Sequence, residues 1–151
     1  MRRVWLFGCM LGLSGLLLPT RPAAGGDLEP SGEAPVIDQY LLGVWSVDVE
    51  PDSATAQVGR RAFHDNVLFE ADGRFTAEAF GPMGFGTTPY TVTVLSDGVT
   101  GFTSTMSNDG QGTLIWNGVR RGSTIVGTLV WTRSDGSVST YNFQAVKSDG
   151  E

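Results

Sequence analysis

The side chain best suited to acid–base chemistry at neutral pH occurs once in this sequence, at His64. It stands beside Asp65 and three residues after Arg61. A catalytic histidine needs a nucleophile and an orienting group within hydrogen-bond reach, and no motif around His64 supplies them. We therefore predict an exposed strand histidine, no catalytic residue and a protein that is not an enzyme.

The acidic residues occupy turn and strand-end positions rather than the spacing of a metal or glycosidase site. Aspartate precedes glycine at 72–73, 97–98, 109–110 and 135–136, and such pairs suit tight hairpin turns. The segment Ser107–Gly112 carries oxygen ligands but lacks the acidic spacing and final glutamate of a calcium loop. We predict no metal and no cofactor.

Aromatic side chains are the best candidates for binding a small molecule. The candidate lining residues are Trp45, Tyr90, Phe102, Trp116, Trp131 and Tyr141. In a small barrel such rings form a cup for one apolar or ring-shaped ligand. The alternative is a core filled by the same side chains, because a barrel of eight short strands can be packed solid.

The segment Gly81–Tyr90 is more apolar than a connection requires. Its candidate functional residues are Met83 and Phe85, either as a lid over a barrel mouth or as a surface that inserts into a partner's groove. A third interpretation is that the segment plugs its own barrel end. The sequence leaves all three open.

The elements that position these side chains are strands, as a repeated pentapeptide indicates. Gly112–Trp116 and Gly127–Trp131 are near-identical alternating segments on either side of a reversal at Arg120–Ser123. A turn at Arg121–Gly122 would place each indole over a glycine of the other strand, Trp116 over Gly127 and Trp131 over Gly112. The predicted inner face is Leu114, Trp116, Ile125, Leu129 and Trp131.

Eight strands are predicted, at 43–50, 64–71, 74–80, 88–95, 99–107, 112–119, 124–133 and 138–147. Every link is hairpin-like except 51–59 and 81–86, and no helix longer than one turn is indicated. The fold class is therefore all-β, an eight-stranded antiparallel up-and-down (meander) barrel, which leaves no exposed edge. The alternative is a two-sheet sandwich, which needs crossovers between sheets.

The beginning of the chain indicates export. Two arginines precede an apolar run at 4–18 that is too short to span a bilayer comfortably, and small residues follow. We predict a signal peptide at 1–25, a flexible linker at 26–35 and a single β-barrel domain at 36–148. The mature protein would be periplasmic or extracellular and not transmembrane.

The only cysteine, Cys9, would leave with the signal peptide. A lipid anchor at Cys9 is disfavoured because Phe7 fits the required motif poorly. Cleavage would also remove three arginines and no acidic residue, which changes the net charge from −6 to −9. That balance argues against nucleic acid as a partner, and the pairs Arg60-Arg61 and Arg120-Arg121 are predicted to be solvated loop residues.

Two features resemble the lipocalin-like, or calycin, group of small barrels. One is Gly43-Val44-Trp45, a Gly-x-Trp near the start of the first strand, and the other is Lys147, a basic residue that ends a late strand. The segment Gly112–Lys147 is also similar to the end of a group of uncharacterised exported bacterial proteins. The resemblance implies a small exported bacterial β-barrel.

Together these features predict an exported, non-enzymatic binding module that carries or senses a small apolar ligand in an aromatic-lined barrel. The alternative is a filled barrel with a structural or interaction role and a protein partner, as an envelope component or an inhibitor of an extracellular enzyme.

Overall fold

The computed structural model describes residues 36–148, so the predictions for the signal peptide, the linker and Cys9 lie outside the described residues. Within that range, eight strands form one closed barrel in which each strand is antiparallel to its neighbours and the last pairs with the first. The up-and-down barrel is confirmed, and the sandwich alternative is wrong.

The elements in chain order are β1 (Gly43–Pro51), α1 (Ser53–Gln57), β2 (Phe63–Phe69), β3 (Arg74–Ala77), a 3-10 helix (Glu78–Met83), β4 (Thr88–Ser96), β5 (Val99–Asn108), β6 (Gly112–Arg121), β7 (Thr124–Thr132) and β8 (Val138–Lys147). The upper end of the barrel carries the links β1–β2, β3–β4, β5–β6 and β7–β8. The lower end carries the entering segment 36–42 and the other three links.

The barrel interior is filled by aromatic rings that contact one another. Centroids lie 4.8 Å apart for Phe69 and Phe102, 5.7 Å for Phe75 and Trp116, and 5.2 Å for Trp116 and Phe143. These are edge-to-face and tilted contacts, the geometries that aromatic quadrupoles favour. The centre of the barrel is therefore a packed core.

The β6–β7 hairpin has a different register from the predicted one. Its turn is at Gly122-Ser123, so Trp116 lies opposite Leu129 and Trp131 lies opposite Leu114. The prediction that each indole covers a glycine of the other strand is wrong. The shift is two residues, which keeps each side chain on its predicted face because side chains alternate with period two.

The glycines of this hairpin pair with each other instead, Gly118 opposite Gly127. A Cβ on Gly118 would meet the ring of Phe102, and a Cβ on Gly127 would lie 2.6 Å from Cζ of Phe143. Rings therefore do cover these glycines, but they come from β5 and β8. The missing side chains leave room for both rings inside the barrel.

The predicted loop at 51–59 contains the short helix α1, so the expectation of no helix longer than a turn is wrong. Asp52 is its N-cap and accepts a hydrogen bond from the Thr55 backbone N–H at 2.7 Å. The buried hydroxyl of Thr55 in turn accepts from the Thr140 backbone N–H at 2.9 Å. The Asp52 backbone N–H also donates to the Thr140 carbonyl at 2.9 Å, so a local cap and two hydrogen bonds to Thr140 fix this helix against β8.

At the lower end, Arg120 corrects the prediction of a solvated loop residue. Arg120 lies in β6, is 5% exposed, and forms an ion pair with Asp38 at 2.8 Å. Burial raises the pKa of Asp38, but hydrogen bonds from Thr100, from the Tyr40 backbone and from Arg120 outweigh it and hold that pKa below its ordinary value. The entering segment is thereby fastened across the lower end.

The two residues that carry the lipocalin-like resemblance lie together at this end. The Trp45 indole N–H donates to the Leu41 carbonyl at 2.7 Å. The Lys147 ammonium lies 5.8 Å from the centroid of the Trp45 ring and donates to the Tyr40 carbonyl at 3.1 Å. The basic residue at the end of β8 thus covers the tryptophan of β1.

Candidate functional site

The upper end is partly closed by residues 78–85, which we call the plug segment. The third strand was predicted to reach residue 80, which is wrong, because β3 ends at Ala77 and the chain turns inward. Phe80 and Phe85 are 2% and 3% exposed, and their rings meet Trp131 at centroid distances of 5.7 and 6.3 Å. Burial of these two rings outweighs continued strand pairing.

A buried carboxylate holds the start of the plug segment. The 3-10 helix has no capping side chain of its own. Asp65 of the neighbouring strand β2 supplies one, since its Oδ1 accepts from the Ala79 backbone N–H at 2.7 Å. This contact satisfies a helix N-terminal donor that would otherwise be unpaired. The adjacent pair of Asn66 and Glu78, at 3.2 Å, adds a second link.

Between the plug segment, the β1–β2 link and the β7–β8 hairpin lies a cavity of about 410 Å³ that opens to solvent, which we call the mouth cavity. Its apolar lining is Phe63, Phe80, Met83, Trp131 and Tyr141. Its basic lining is Arg60, Arg61, His64 and Arg133. Aromatic floor and cationic rim thus occur in one concave site.

Arg133 is the best-positioned cation of the mouth cavity. Its guanidinium lies 4.0 Å from the centroid of the Trp131 ring, and its Nη1 donates to the Ser139 hydroxyl at 2.7 Å. Stacking and a hydrogen bond together fix the orientation of the planar group. Arg60 and Arg61 are exposed on the β1–β2 link.

The six predicted lining residues divide between two places. Trp131 and Tyr141 line the mouth cavity. Trp45, Tyr90, Phe102 and Trp116 are buried in the packed interior. Of the predicted lid residues, Met83 lines the mouth cavity, whereas Phe85 is buried beneath it.

Sequence reasoning missed most of the lining of the mouth cavity, including the aromatic and basic residues Arg60, Arg61, Phe63, Phe80 and Arg133. The missed arginines belong to two links that are more than 70 residues apart, and the closed barrel brings those links together. One feature of the predicted topology could have identified three of them. Phe63, Phe80 and Arg133 each lie beside a predicted link at the same end of an up-and-down barrel.

Three buried side-chain atoms have no hydrogen-bond partner among residues 36–148, and two of them belong to residues that contact the plug segment. They are Oδ2 of Asp65, the indole nitrogen of Trp116 and Nη2 of Arg133. Asp65 bonds to Ala79, Trp116 meets the Phe80 ring at 6.1 Å, and Arg133 stacks on Trp131. Unpaired buried polar atoms are rare in folded proteins, and each calls for a physical explanation.

His64 is exposed, as predicted, but its neighbours form an ordered set on the outer face. Its Nδ1 lies 3.0 Å from Oδ1 of Asp48, and its Nε2 lies 3.3 Å from the Ser46 hydroxyl. The order is that of a serine–histidine–aspartate relay. However, the side chains of His64 and Asp48 are 56% and 85% exposed, so water screens the carboxylate that would orient and charge the imidazole.

A second concave region, a groove of about 430 Å³, lies on the outer faces of β1, β7 and β8. Its polar lining is Ser46, Asp48, Glu50, Asn142 and Gln144. The two carboxylates and the shortage of aromatic surface make it a weaker candidate for a small apolar ligand than the mouth cavity.

Within residues 36–148, no group of three or more histidine, cysteine, aspartate or glutamate side chains is placed to hold a metal ion. No helix in the same range has the length and apolarity needed to cross a membrane. No protein-family model matches the sequence, and the search of curated proteins and that of solved structures each gave no significant match. The geometry of the upper end therefore carries the functional argument.

Proposed function

We propose that this protein is a non-enzymatic binding module that holds a small molecule with a flat apolar body in the mouth cavity. The observation that carries the proposal is a concave site of about 410 Å³ with an aromatic floor. Ligand sites typically have volumes of roughly 300–1,000 Å³ and are mainly apolar with a few directed polar groups. The mouth cavity has both properties.

The ligand binds at the mouth and not at the centre of the barrel. The central rings are in mutual contact, so a ligand there would have to displace several buried aromatic side chains. At the mouth, Phe63 and Trp131 are only partly buried and present ring surface to the cavity. Covering such surface stabilises a complex by about 25 cal/mol for each Å² removed from water.

We propose further that the protein is an exported, lipocalin-like barrel. The meander topology and the packing of Lys147 on Trp45 support that relationship. The arginines and apolar run at the start of the sequence support export to the periplasm or beyond the cell. The mass of the protein from its own host tests export, since cleavage near residue 25 predicts a chain shortened by that segment, and the uncleaved mass contradicts it.

Binding at the mouth is tested with a neutral fluorescent dye, N-phenylnaphthylamine. We expect saturable binding to the purified protein, and we expect Ala79→Trp to weaken it about tenfold or more, because Ala79 is exposed and lines the cavity. Ala71→Trp is the matched control, since Ala71 is exposed in the β2–β3 link at the other end. Equal effects of the two variants, or failure of both this dye and an anionic dye of the same ring system to bind, contradicts the proposal.

A second candidate function is favoured by the apolar outer face. Val94 and Leu95 of β4 are 70% and 56% exposed, and Val126 of β7 is 50% exposed. A filled barrel with these side chains on its surface would work through a protein partner, as an envelope component or an inhibitor of an extracellular enzyme. Native mass spectrometry of protein from its host separates the two, because a retained small molecule supports the first and a co-purifying protein the second.

A further inference from the structure

Basic side chains are concentrated at the mouth cavity in a domain that is otherwise acidic. Residues 36–148 contain eleven aspartates and glutamates and seven lysines and arginines. Three of those seven line the mouth cavity, and none of the acidic residues does. Clustering of one sign of charge in a concave site attracts ligands of the opposite sign.

None of the three arginines forms an ion pair within the described domain, although the charge of the exposed Asp135 lies near Arg133. Among residues 36–148, the arginine that forms an ion pair is Arg120, with Asp38. Arg120, by contrast, is buried and paired, as buried charges usually are. The guanidiniums of Arg60, Arg61 and Arg133 therefore retain their capacity to bind an anion.

Of the three arginines, Arg133 has a guanidinium that its neighbours hold in a fixed orientation. The ring of Trp131 lies against its face and Ser139 accepts from Nη1, while Nη2 is buried without an acceptor among the described residues. A buried donor without a partner costs free energy, so a small shift of the guanidinium that brings Nη2 to an anionic oxygen, the acceptor it binds most strongly, is favourable. The same stacked pair places the cation next to an aromatic surface.

We infer that the ligand is an amphipathic organic anion, with a flat apolar body on Phe63 and Trp131 and one carboxylate, sulfonate or phosphate group held by Arg133. Arg60 and Arg61 lie on the exposed β1–β2 link, so they add long-range attraction rather than a fixed contact. This inference rests on the proposed binding function and names the class of ligand for the same cavity.

Two dyes with one ring system test the inference. Anilinonaphthalene sulfonate carries a sulfonate, and N-phenylnaphthylamine is the same scaffold without it. We expect the sulfonate to bind the purified protein about tenfold more tightly or better, and we expect its affinity alone to fall with added salt. Fluorescence titration measures both affinities at two ionic strengths.

Arginine variants locate the anion. Arg133→Gln is expected to weaken the sulfonate about tenfold or more while changing the neutral dye less than about twofold, which also shows that the cavity is intact. Arg133→Lys keeps the positive charge without the two parallel N–H donors of the guanidinium, so it is expected to weaken sulfonate binding less than Arg133→Gln does. Arg60 and Arg61 are at exposed positions that do not hold the fold. Replacing both by Gln is expected to lower the affinity for the sulfonate dye about threefold.

The matched control is Arg121→Gln, the same change of charge at an exposed residue of the lower end. It is expected to alter sulfonate binding less than about twofold. If neither dye binds, the proposed binding function fails and this inference fails with it. If both dyes bind equally, or Arg133→Gln and Arg121→Gln have equal effects, the binding function stands and the anionic class alone is overturned.

Discussion

The carboxyl group that holds the plug segment has an unusual pKa, which leads to a prediction about stability. Asp65 is 3% exposed, its Oδ1 accepts from Ala79, and its Oδ2 has no partner among the described residues. Burial raises its pKa from an ordinary value of 3.8 to about 6, helped by the nearby charge of Glu78 and opposed by the backbone hydrogen bonds. Replacement by asparagine keeps an oxygen acceptor for Ala79 and removes the ionisation.

The direction in which stability changes with pH follows from which state of the protein holds the proton. Between pH 3.8 and about 6 the folded protein retains a proton at Asp65 that the unfolded chain has lost. Stability must therefore fall as the pH rises through this window, and the loss is complete above the folded pKa. A difference of about two pKa units corresponds to roughly 3 kcal/mol, a large part of the 5–15 kcal/mol that stabilises an ordinary domain.

We expect Asp65→Asn to stabilise the protein by about 3 kcal/mol more near pH 8 than near pH 4. Urea unfolding followed by tryptophan fluorescence measures the free energy of unfolding of both proteins across that range. Comparison at each pH cancels the titration of the other carboxylates. Asp97→Asn, at an exposed turn, is the control and is expected to change stability by less than about 0.5 kcal/mol at every pH.

The reasoning would be refuted by a difference between Asp65→Asn and the natural protein that does not depend on pH. It would also be refuted by a variant that becomes relatively less stable as the pH rises. Either result would mean that Asp65 is ionised in the folded protein without cost, and that its contact with Ala79 is an ordinary charged cap.

Three further outcomes are expected. Gly127→Ala should destabilise the protein by about 3 kcal/mol or more in urea unfolding, because the new Cβ meets the backbone oxygen of Asn117, which cannot rotate away; tolerance of alanine there would contradict the tight Gly118–Gly127 pairing. Arg120→Met should cost about 1.5–3 kcal/mol, because Asp38 loses its charged partner and keeps only the hydrogen bonds from Thr100 and the Tyr40 backbone; adding Asp38→Asn should restore part of the loss, whereas additive losses would contradict an ion pair. Ser46→Ala should leave hydrolysis of p-nitrophenyl acetate unchanged, and activity that depends on Ser46 would contradict the non-enzymatic proposal.

Most of the fold could be predicted from local pattern. Alternating side chains located all eight strands to within a few residues, and Asp-Gly pairs located every hairpin except the one between β6 and β7. The register of β6 and β7 could not be predicted, because a shift of two residues leaves every side chain on the same face and so leaves the hydrophobic pattern unchanged. What selected the observed register is the pairing of Gly118 with Gly127 beneath the rings of Phe102 and Phe143.

The candidate site was predicted only in part. The aromatic residues were recognised from their type, and Trp131 and Tyr141 do line the mouth cavity. Trp116 faces inward as predicted, but whether its ring lines a cavity or packs in the core depends on how many other rings the closed barrel holds. The end of β3 at Ala77 was missed, because strand propensity there gives way to the burial of Phe80.

The sequence by itself determined an all-β meander, since period-two alternation and turn residues are local properties that the chain carries wherever it lies. Only the tertiary structure decided where the charges meet. Arg120 was predicted to be a solvated loop residue, but the folded barrel places it beside Asp38. Arg60 and Arg133 are far apart in sequence, yet both line the mouth cavity. Closure of the barrel joins its first and last strands, so neighbours in space at either end are not neighbours along the chain.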